Sequence, residues 1–430
     1  MIQLLTIGLF IILCLAGIKS PTWALILATT MFAFEQALQA SSSLFLANPA
    51  LANQITGVIC LIMATRLVMR DRTKLNGVIS IIYVCTLIIY FWSAISLAWS
   101  PARDVASEII LKGIPYLILF IFIAPILIVK IDLLDSFFTI YLYVGTLICI
   151  LLILNPELTY YNNRISLDLG VGTRSNVLAL GGIGGEIIIL AALIRIGHPQ
   201  WLLNITRIVA IPSGAILALQ SGSRGQILFS IILSVLFYPV SKKINNLISF
   251  VATIASIIFF IPIVYLITGL FLSEGILSRW DSGNLDEGVG VRILNILELF
   301  NVWIQSPISW FLGLGFNAFS SVIPDGSRQG YSHNMTIDIL TELGLLIFVV
   351  YLIMLYNCFV CSVWLFKKYQ YFPKIRMSIS IVIVMMLYNL LIANKQNNLW
   401  GNQLFFFYSI LLFRCRYWTI HNDDLDDNSL

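Results

Sequence analysis

The residues able to do chemistry in this 430-residue chain sit in a few polar breaks between long apolar runs. One break is GYSHNMTIDILTELGLLIF, residues 330–348, which carries His333, Asn334, Asp338 and Glu342 and passes directly into an apolar run. An imidazole of near-neutral pKa can take a proton from a hydroxyl. Asp338 or Glu342 stands at a spacing from which it could orient the ring. The competing reading is a histidine at a helix start, level with lipid headgroups, and spacing alone leaves both open. A second break, ALQSGSRGQIL at 218–228, holds Arg224. Ser221 and Ser223 can cap a helix there, and Gly222 and Gly225 let backbone approach a ligand. A helix N-terminus presents N–H groups and positive dipole to an anion. The alternative is an ordinary tight turn between two spans.

A third candidate runs from Val291 to Trp303, where Arg292, Asn295 and Glu298 recur in steps of three among apolar residues. That spacing predicts a helix on or in the outer leaflet with one polar stripe turned to a cavity. Trp280, Trp303 and Trp310 suit a membrane interface. Glu186, in GGIGGEIIIL, is ionisable within an apolar run, which marks a functional position by default. The glycines at 181, 182, 184 and 185 offer tight helix packing as the other account. No histidine or cysteine pair has metal-ligand spacing with a second pair nearby. Cys358 and Cys361 form a CxxC inside an apolar run and read as packed or lipid-facing thiols. GVGVR (288–292) and GLGF (313–316) follow no strand, so neither reads as a nucleotide loop.

The elements that must position these groups are membrane spans. Hydrophobic residues make up 59% of the chain and charged residues 11%, against about a quarter charged in soluble domains. Thirteen apolar stretches recur: 2–18, 21–38, 52–69, 77–99, 109–129, 136–154, 174–194, 205–220, 225–240, 246–270, 339–366, 377–393 and 402–413. A span needs roughly 20 residues. The expectation is an all-α polytopic membrane protein with about 12–13 transmembrane helices, one integral membrane domain over 1–430. Its first stretch reads as a retained span, because it lacks a basic leader and a cleavage site. The second, with Glu35 and Gln36, is the weakest span. No basic soluble domain exists for nucleic acid.

Charge sets the expected orientation. RLVMRDRTK (66–74), SKK (241–243) and FKKYQYFPKIR (366–376) are basic and belong inside, as do the segments holding His198 and His421. Nine cations are then left outside: Arg103, Lys112, Arg164, Arg174, Arg224, Arg279, Arg292, Arg328 and Lys395. Seven of them are arginine, which binds phosphate through a planar fork. Headgroup contact and ion pairing form the bland alternative. His333 is the one histidine outside. The segment 271–338 is too long for an ordinary connection, and such loops are usually functional. It is expected to be a large periplasmic loop containing short helices.

The order of these blocks resembles the O-antigen ligase and O-antigen polymerase superfamily of bacterial inner-membrane proteins. Three blocks carry the resemblance: QSGSRGQIL (220–228), VGVRILNILELFNVWIQSPISWFLGLGFNAF (289–319) and YSHNMTIDILTELGLLIF (331–348). NNRISLDLGVGTRSNVLAL (162–180) adds a fourth. Together they cover about a quarter of the chain. The resemblance implies a glycosyltransferase that takes an undecaprenyl-diphosphate-linked oligosaccharide as donor at the periplasmic face of the inner membrane, without cofactor or metal and with inversion. Arg224 and Arg292 would hold the leaving diphosphate and His333 would activate the acceptor hydroxyl. Arg164, Arg174, Ser223, Arg279, Asn334, Asp338 and Glu342 would line the substrate site. The partners implied are membrane lipids, an acceptor that is a lipid-linked repeat unit or lipid A-core, and a chain-length regulator protein. The His333 block stands closer to polymerases and the Arg164–Arg174 block closer to ligases. The polymerase of repeat units is the first expectation and the ligase the second. A lipid-linked sugar transporter would show charges along several spans and repeat symmetry. A scaffold in polysaccharide export would tolerate substitution of these residues.

Overall fold

The computed structural model describes residues 1–161, 164–169, 174–196, 199–241, 251, 282–323, 332–396 and 398–427. Arg279, Arg328, His198 and nearly all of the 246–270 stretch lie outside the described residues. In chain order the helices are α1 (Ile2–Lys19), α2 (Pro21–Ser41), α3 (Ser43–Ala47), α4 (Leu51–Arg70), α5 (Ile81–Ile95), α6 (Arg103–Leu117), α7 (Ala124–Leu127) and α8 (Leu133–Ile153). A hairpin of β1 (Leu158–Tyr161) and β2 (Arg164–Leu167) follows, paired Leu158 to Leu167 through Tyr161 to Arg164. Then come α9 (Val177–Leu193), α10 (Gln200–Gln220), α11 (Arg224–Ser241), α12 (Ser282–Ile304), α13 (Pro307–Leu312), α14 (Phe319–Val322), α15 (Met335–Lys368), α16 (Pro373–Ala393) and α17 (Gln403–Asp427). Among the described residues eight helical segments are long and apolar enough to cross a membrane, and α9 and most of α11 are shorter apolar helices. The chain is an all-α polytopic membrane protein.

The chain divides into two compact units. Unit 1 comprises 1–74, 126–281 and 366–385. Its centre is α2, which packs against α1, α4 and α8. Fourteen of the 21 residues of α2 are buried, which explains how it tolerates polar side chains in an apolar setting. Glu35 accepts from Gln39 Nε2 (3.1 Å) and Asn53 Nδ2 (2.7 Å), and Gln36 Oε1 accepts from the Asn176 N–H (2.7 Å). The second stretch therefore forms a full-length helix whose polar end is satisfied inside the unit. Asn176 caps α9 by accepting from the Leu178 N–H at 2.9 Å. Helices α9 and α10 approach backbone to backbone at Gly184 and Gly214, where a Cβ on Gly214 would collide with the Gly184 carbonyl and press on Ile188 at 3.2 Å. Glu186 is buried and accepts from the Tyr141 hydroxyl of α8.

Unit 2 comprises 75–125, 282–365 and 386–430. Ser80 caps α5 through the Tyr83 N–H at 3.1 Å. Pro115 lies inside α6, and a π-helical turn over Ile118–Ile123 follows it. Proline removes a ladder hydrogen bond, and π-turns absorb such irregularity. Fully buried Arg414 of α17 donates to the Pro125 carbonyl and lies 4.8 Å from the Trp418 ring centroid. Cys358 and Cys361 are free, buried thiols.

One break in unit 2 organises the whole His333 region. α15 is interrupted at Gly344 (φ 85, ψ 170). The carbonyls before such a break lose their helical partners. Leu314 N–H donates to Thr341 O and Gly315 N–H to Glu342 O, both at 2.9 Å, and Trp92 Nε1 donates to Leu343 O at 3.1 Å. The GLGF loop thus fits into the break. Gly313 (φ 80) and Gly344 meet there with no room for a side chain: a Cβ on Gly344 would lie 2.5 Å from Gly313 N.

The helix expected over 291–303 is present and begins earlier, at Ser282. Its inward face differs from the expectation. Asn295, Leu299 and Trp303 are buried and Arg292 is half-buried, while Glu298 is exposed. Two three-residue steps at about 100° per residue leave Glu298 roughly 120° away from Arg292, whereas a seven-residue step returns Leu299 to within about 20°.

Candidate functional site

In unit 1 the candidate residues collect where α9 and α11 begin. The turn after α10 places Gly222 at φ 69, and Ser223 stands immediately before α11. Ser221 Oγ donates to Ala218 O (2.8 Å) and accepts from the Ser223 N–H (3.3 Å). From the first turn of α11, Gln226 Nε2 reaches Leu178 O at 2.8 Å in the first turn of α9. Gly181 makes this possible, since a Cβ there would collide with Gln226 Oε1 and Ser221 Oγ. Two helix N-termini therefore lie side by side. Arg224 opens α11, and Arg174 precedes α9 by three residues. Arg174 pairs with Asp168 in a β-bridge and donates to Thr159 Oγ1 of β1 at 3.3 Å. Arg164 opens β2 of the same hairpin. Ser175 binds the segment to β2 in both directions, its hydroxyl accepting from Leu167 N–H (2.7 Å) and its N–H donating to Leu167 O (3.0 Å). Arg164, Arg174, Ser223 and Arg224 thus belong to one end of unit 1, where paired helix dipoles and guanidiniums favour an anion.

In unit 2 the site is built around the turn 332–334. His333 has φ 64, a left-handed conformation uncommon for a residue with a Cβ and worth about 1–3 kcal/mol of strain. Its neighbours hold it there. Ser332 Oγ donates to Asp338 Oδ1 and accepts from the Asn334 N–H at 3.1 Å. Asn334 Oδ1 accepts from Ile337 N–H at 3.1 Å, which caps α15. Thr336 N–H donates to Asn394 Oδ1 at 3.0 Å, tying this start to the end of α16. Asp338 and Glu342 are one helical turn apart and both buried. Glu342 accepts from Asn317 N–H (2.8 Å) and Phe319 N–H (3.1 Å), so both its oxygens hold the chain after GLGF.

The ring itself sits in a cationic surrounding. Burial first, then the charges of Arg292 and Lys395, lower the His333 pKa from 6.5 to about 4. The imidazole is therefore neutral at pH 7, with a ring nitrogen able to accept a proton. Arg292 and His333 are brought together as electrostatic neighbours. Lys395 joins them, although sequence reasoning counted it only among the outward cations. Its signal was the polar break ANKQNN between two spans, but no spacing rule links that break to residue 333. No protein-family profile matches the chain, and no curated protein does.

Proposed function

We propose that this protein is an inner-membrane glycosyltransferase that polymerises O-antigen-like, capsular or exopolysaccharide repeat units carried on undecaprenyl diphosphate at the periplasmic face. The observation that carries the reading is His333. It is a neutral imidazole held in a strained turn, with Arg292 and Lys395 beside it, in a polytopic membrane chain whose motifs resemble that superfamily. In the proposed step the acceptor hydroxyl oxygen attacks the anomeric carbon, and the bond from that carbon to the diphosphate oxygen breaks. The hydroxyl proton passes to His333, and the diphosphate leaves with the bonding electron pair. Arg292 and Lys395, the cations beside His333, stabilise that developing negative charge, a role in which preorganised cations are effective. The lipid tether of the donor keeps the reacting centre at the membrane face.

The cations that help lower the ring's basicity are those a diphosphate would neutralise. Donor binding then returns His333 towards its ordinary value, where a general base works best at neutral pH. The test is transfer by purified protein in nanodiscs supplied with lipid-linked repeat units. A ladder of lipid-linked products supports the polymerase, and transfer only to lipid A-core supports a ligase instead. His333→Ala and Arg292→Ala should each abolish or strongly reduce product. If both variants transfer glycan at the wild-type rate, the enzymatic reading fails.

A further inference from the structure

Unit 1 carries a second arginine pair that glycan transfer does not use. Helices α9 and α11 both pack against their neighbours with Asn176 and Arg224 at one end. The run of α11 from Arg224 to Tyr238 is about 21 Å long at 1.5 Å per residue, so Tyr238 marks the opposite end. Arg195, in the link between α9 and α10, places its guanidinium 4.2 Å from the Tyr238 ring centroid. Its backbone N–H donates to Met377 Sδ of α16 at 3.2 Å. Arg207 of α10 donates from Nε to Ala191 O at 2.7 Å, one of the carbonyls left open where α9 ends.

Among the described residues neither guanidinium has an acidic partner. Arg195 Nε is buried with no acceptor among the described residues, and a buried donor is costly to leave unsatisfied. Burial first, then the charge of Arg207, push Arg195 down to about 10. Among the described residues no carboxylate pairs with either arginine. Asp135 of α8 is engaged with Lys374 of α16 at 3.0 Å. The described neighbouring segments of the chain, 194–196, 199–200 and 366–376, contain no Asp or Glu. Adjacent, partly buried like charges call for a counter-charge, and a forked guanidinium suits phosphate. Trp201, 65% exposed, and the exposed Ile205 and Ile208 lie on the same part of α10. A tryptophan beside apolar surface marks the headgroup level, so the phosphate arrives on a lipid.

We propose that Arg195 and Arg207, with Tyr238 backing Arg195, form a headgroup site for an anionic phospholipid at the end of unit 1 opposite Arg224. The site is independent of the transfer chemistry. Native mass spectrometry of the delipidated full-length protein, titrated with phosphatidylglycerol or phosphatidylethanolamine, reads it directly. Wild type should bind phosphatidylglycerol at least tenfold more tightly than phosphatidylethanolamine, and Arg195→Gln with Arg207→Gln should erase that preference. The same protein titrated with inorganic phosphate alone should show no thermal shift comparable to that from phosphatidylglycerol. An unchanged preference in the double variant overturns the proposal. So does an equal shift from inorganic phosphate, which would mark a free-anion pocket. Arg195→Lys keeps the charge and loses the fork. It should lower phosphatidylglycerol affinity at least threefold, and unchanged affinity there overturns the proposal even if the double variant does not fold.

Discussion

Replacing Gly344 by alanine should damage unit 2 more than any comparable change in an exposed helix. Gly344 has φ 85 and ψ 170, a region essentially reserved for glycine, where another residue costs about 1–3 kcal/mol. The added Cβ would lie 2.5 Å from Gly313 N and 2.6 Å from the Phe311 carbonyl carbon. Both are backbone atoms, so the GLGF loop must move out of the break. That movement breaks the Leu314-to-Thr341 and Gly315-to-Glu342 hydrogen bonds, each worth about 0.5–1.5 kcal/mol. The sum is about 2–6 kcal/mol by these two contributions. At about 2–4 °C per kcal/mol for a unit of this size, the unfolding midpoint should fall by on the order of 10 °C.

The assay is thermal unfolding of the detergent-solubilised protein with Gly8→Ala as control. Gly8 has nothing within 4 Å of a built Cβ and no positive φ, so that variant should be neutral or gain up to about 1 kcal/mol. Glycan transfer should also drop in Gly344→Ala, because the segment before the break carries Asp338 and, through Ser332, the His333 turn. A Gly344→Ala protein that unfolds with the midpoint of Gly8→Ala would refute the account of the GLGF loop as the plug of this break.

Three further outcomes follow from the same geometry. Ser332→Ala leaves buried Asp338 without its hydroxyl donor and frees the strained turn. It should lower stability by about 1–3 kcal/mol and reduce kcat in the transfer assay, and an unchanged kcat would separate the turn from the chemistry. His333 binds its proton more weakly when folded (about 4) than at its ordinary 6.5. Between those values the unfolded chain holds more protons, so this group's contribution is full above pH 6.5 and is lost as pH falls towards 4. His333→Asn, which tolerates positive φ, should narrow the midpoint difference between pH 5 and 7.5, and an identical difference in both proteins would contradict it. Gly184→Val would drive a side chain into the Gly214 carbonyl and separate α9 from α10. A loss of several kcal/mol is expected from such overpacking, read as loss of monodisperse protein on size exclusion.

Much of this frame was legible in the sequence because it depends on neighbours along the chain. Apolar run length located the spans, since lipid demands about 20 residues whatever they pack against. Asn334 three residues before Ile337 is a capping pattern, although its sequence-based expectation was substrate contact. The glycines around Glu186 were legible as packing residues, and Gly184 and Gly181 do admit backbone and polar side chains respectively. The register of Arg292, Asn295 and Glu298 misled because steps of three drift off a 3.6-residue helix, and only seven-residue spacing would have singled out Leu299.

What escaped sequence reasoning was most of what distant segments make by meeting, the nearness of Arg292 to His333 apart. GLGF was read only as a glycine-rich segment that follows no strand, and nothing near residue 313 announces that it closes a break at residue 344. The two positive-φ glycines are each ordinary alone and become necessary only as a pair. The same holds for Lys395, whose charge matters because the end of α16 is tied to the start of α15 through Asn394 and Thr336. This division also bears on the acidic residues. Glu342 spends both oxygens on backbone N–H groups and Asp338 accepts from Ser332, so each sets the position of backbone near His333. A buried carboxylate that accepts from main-chain donors fixes a turn more tightly than a surface one. Rigid support of that kind is what a strained, proton-accepting imidazole requires to stay in place beside Arg292 and Lys395.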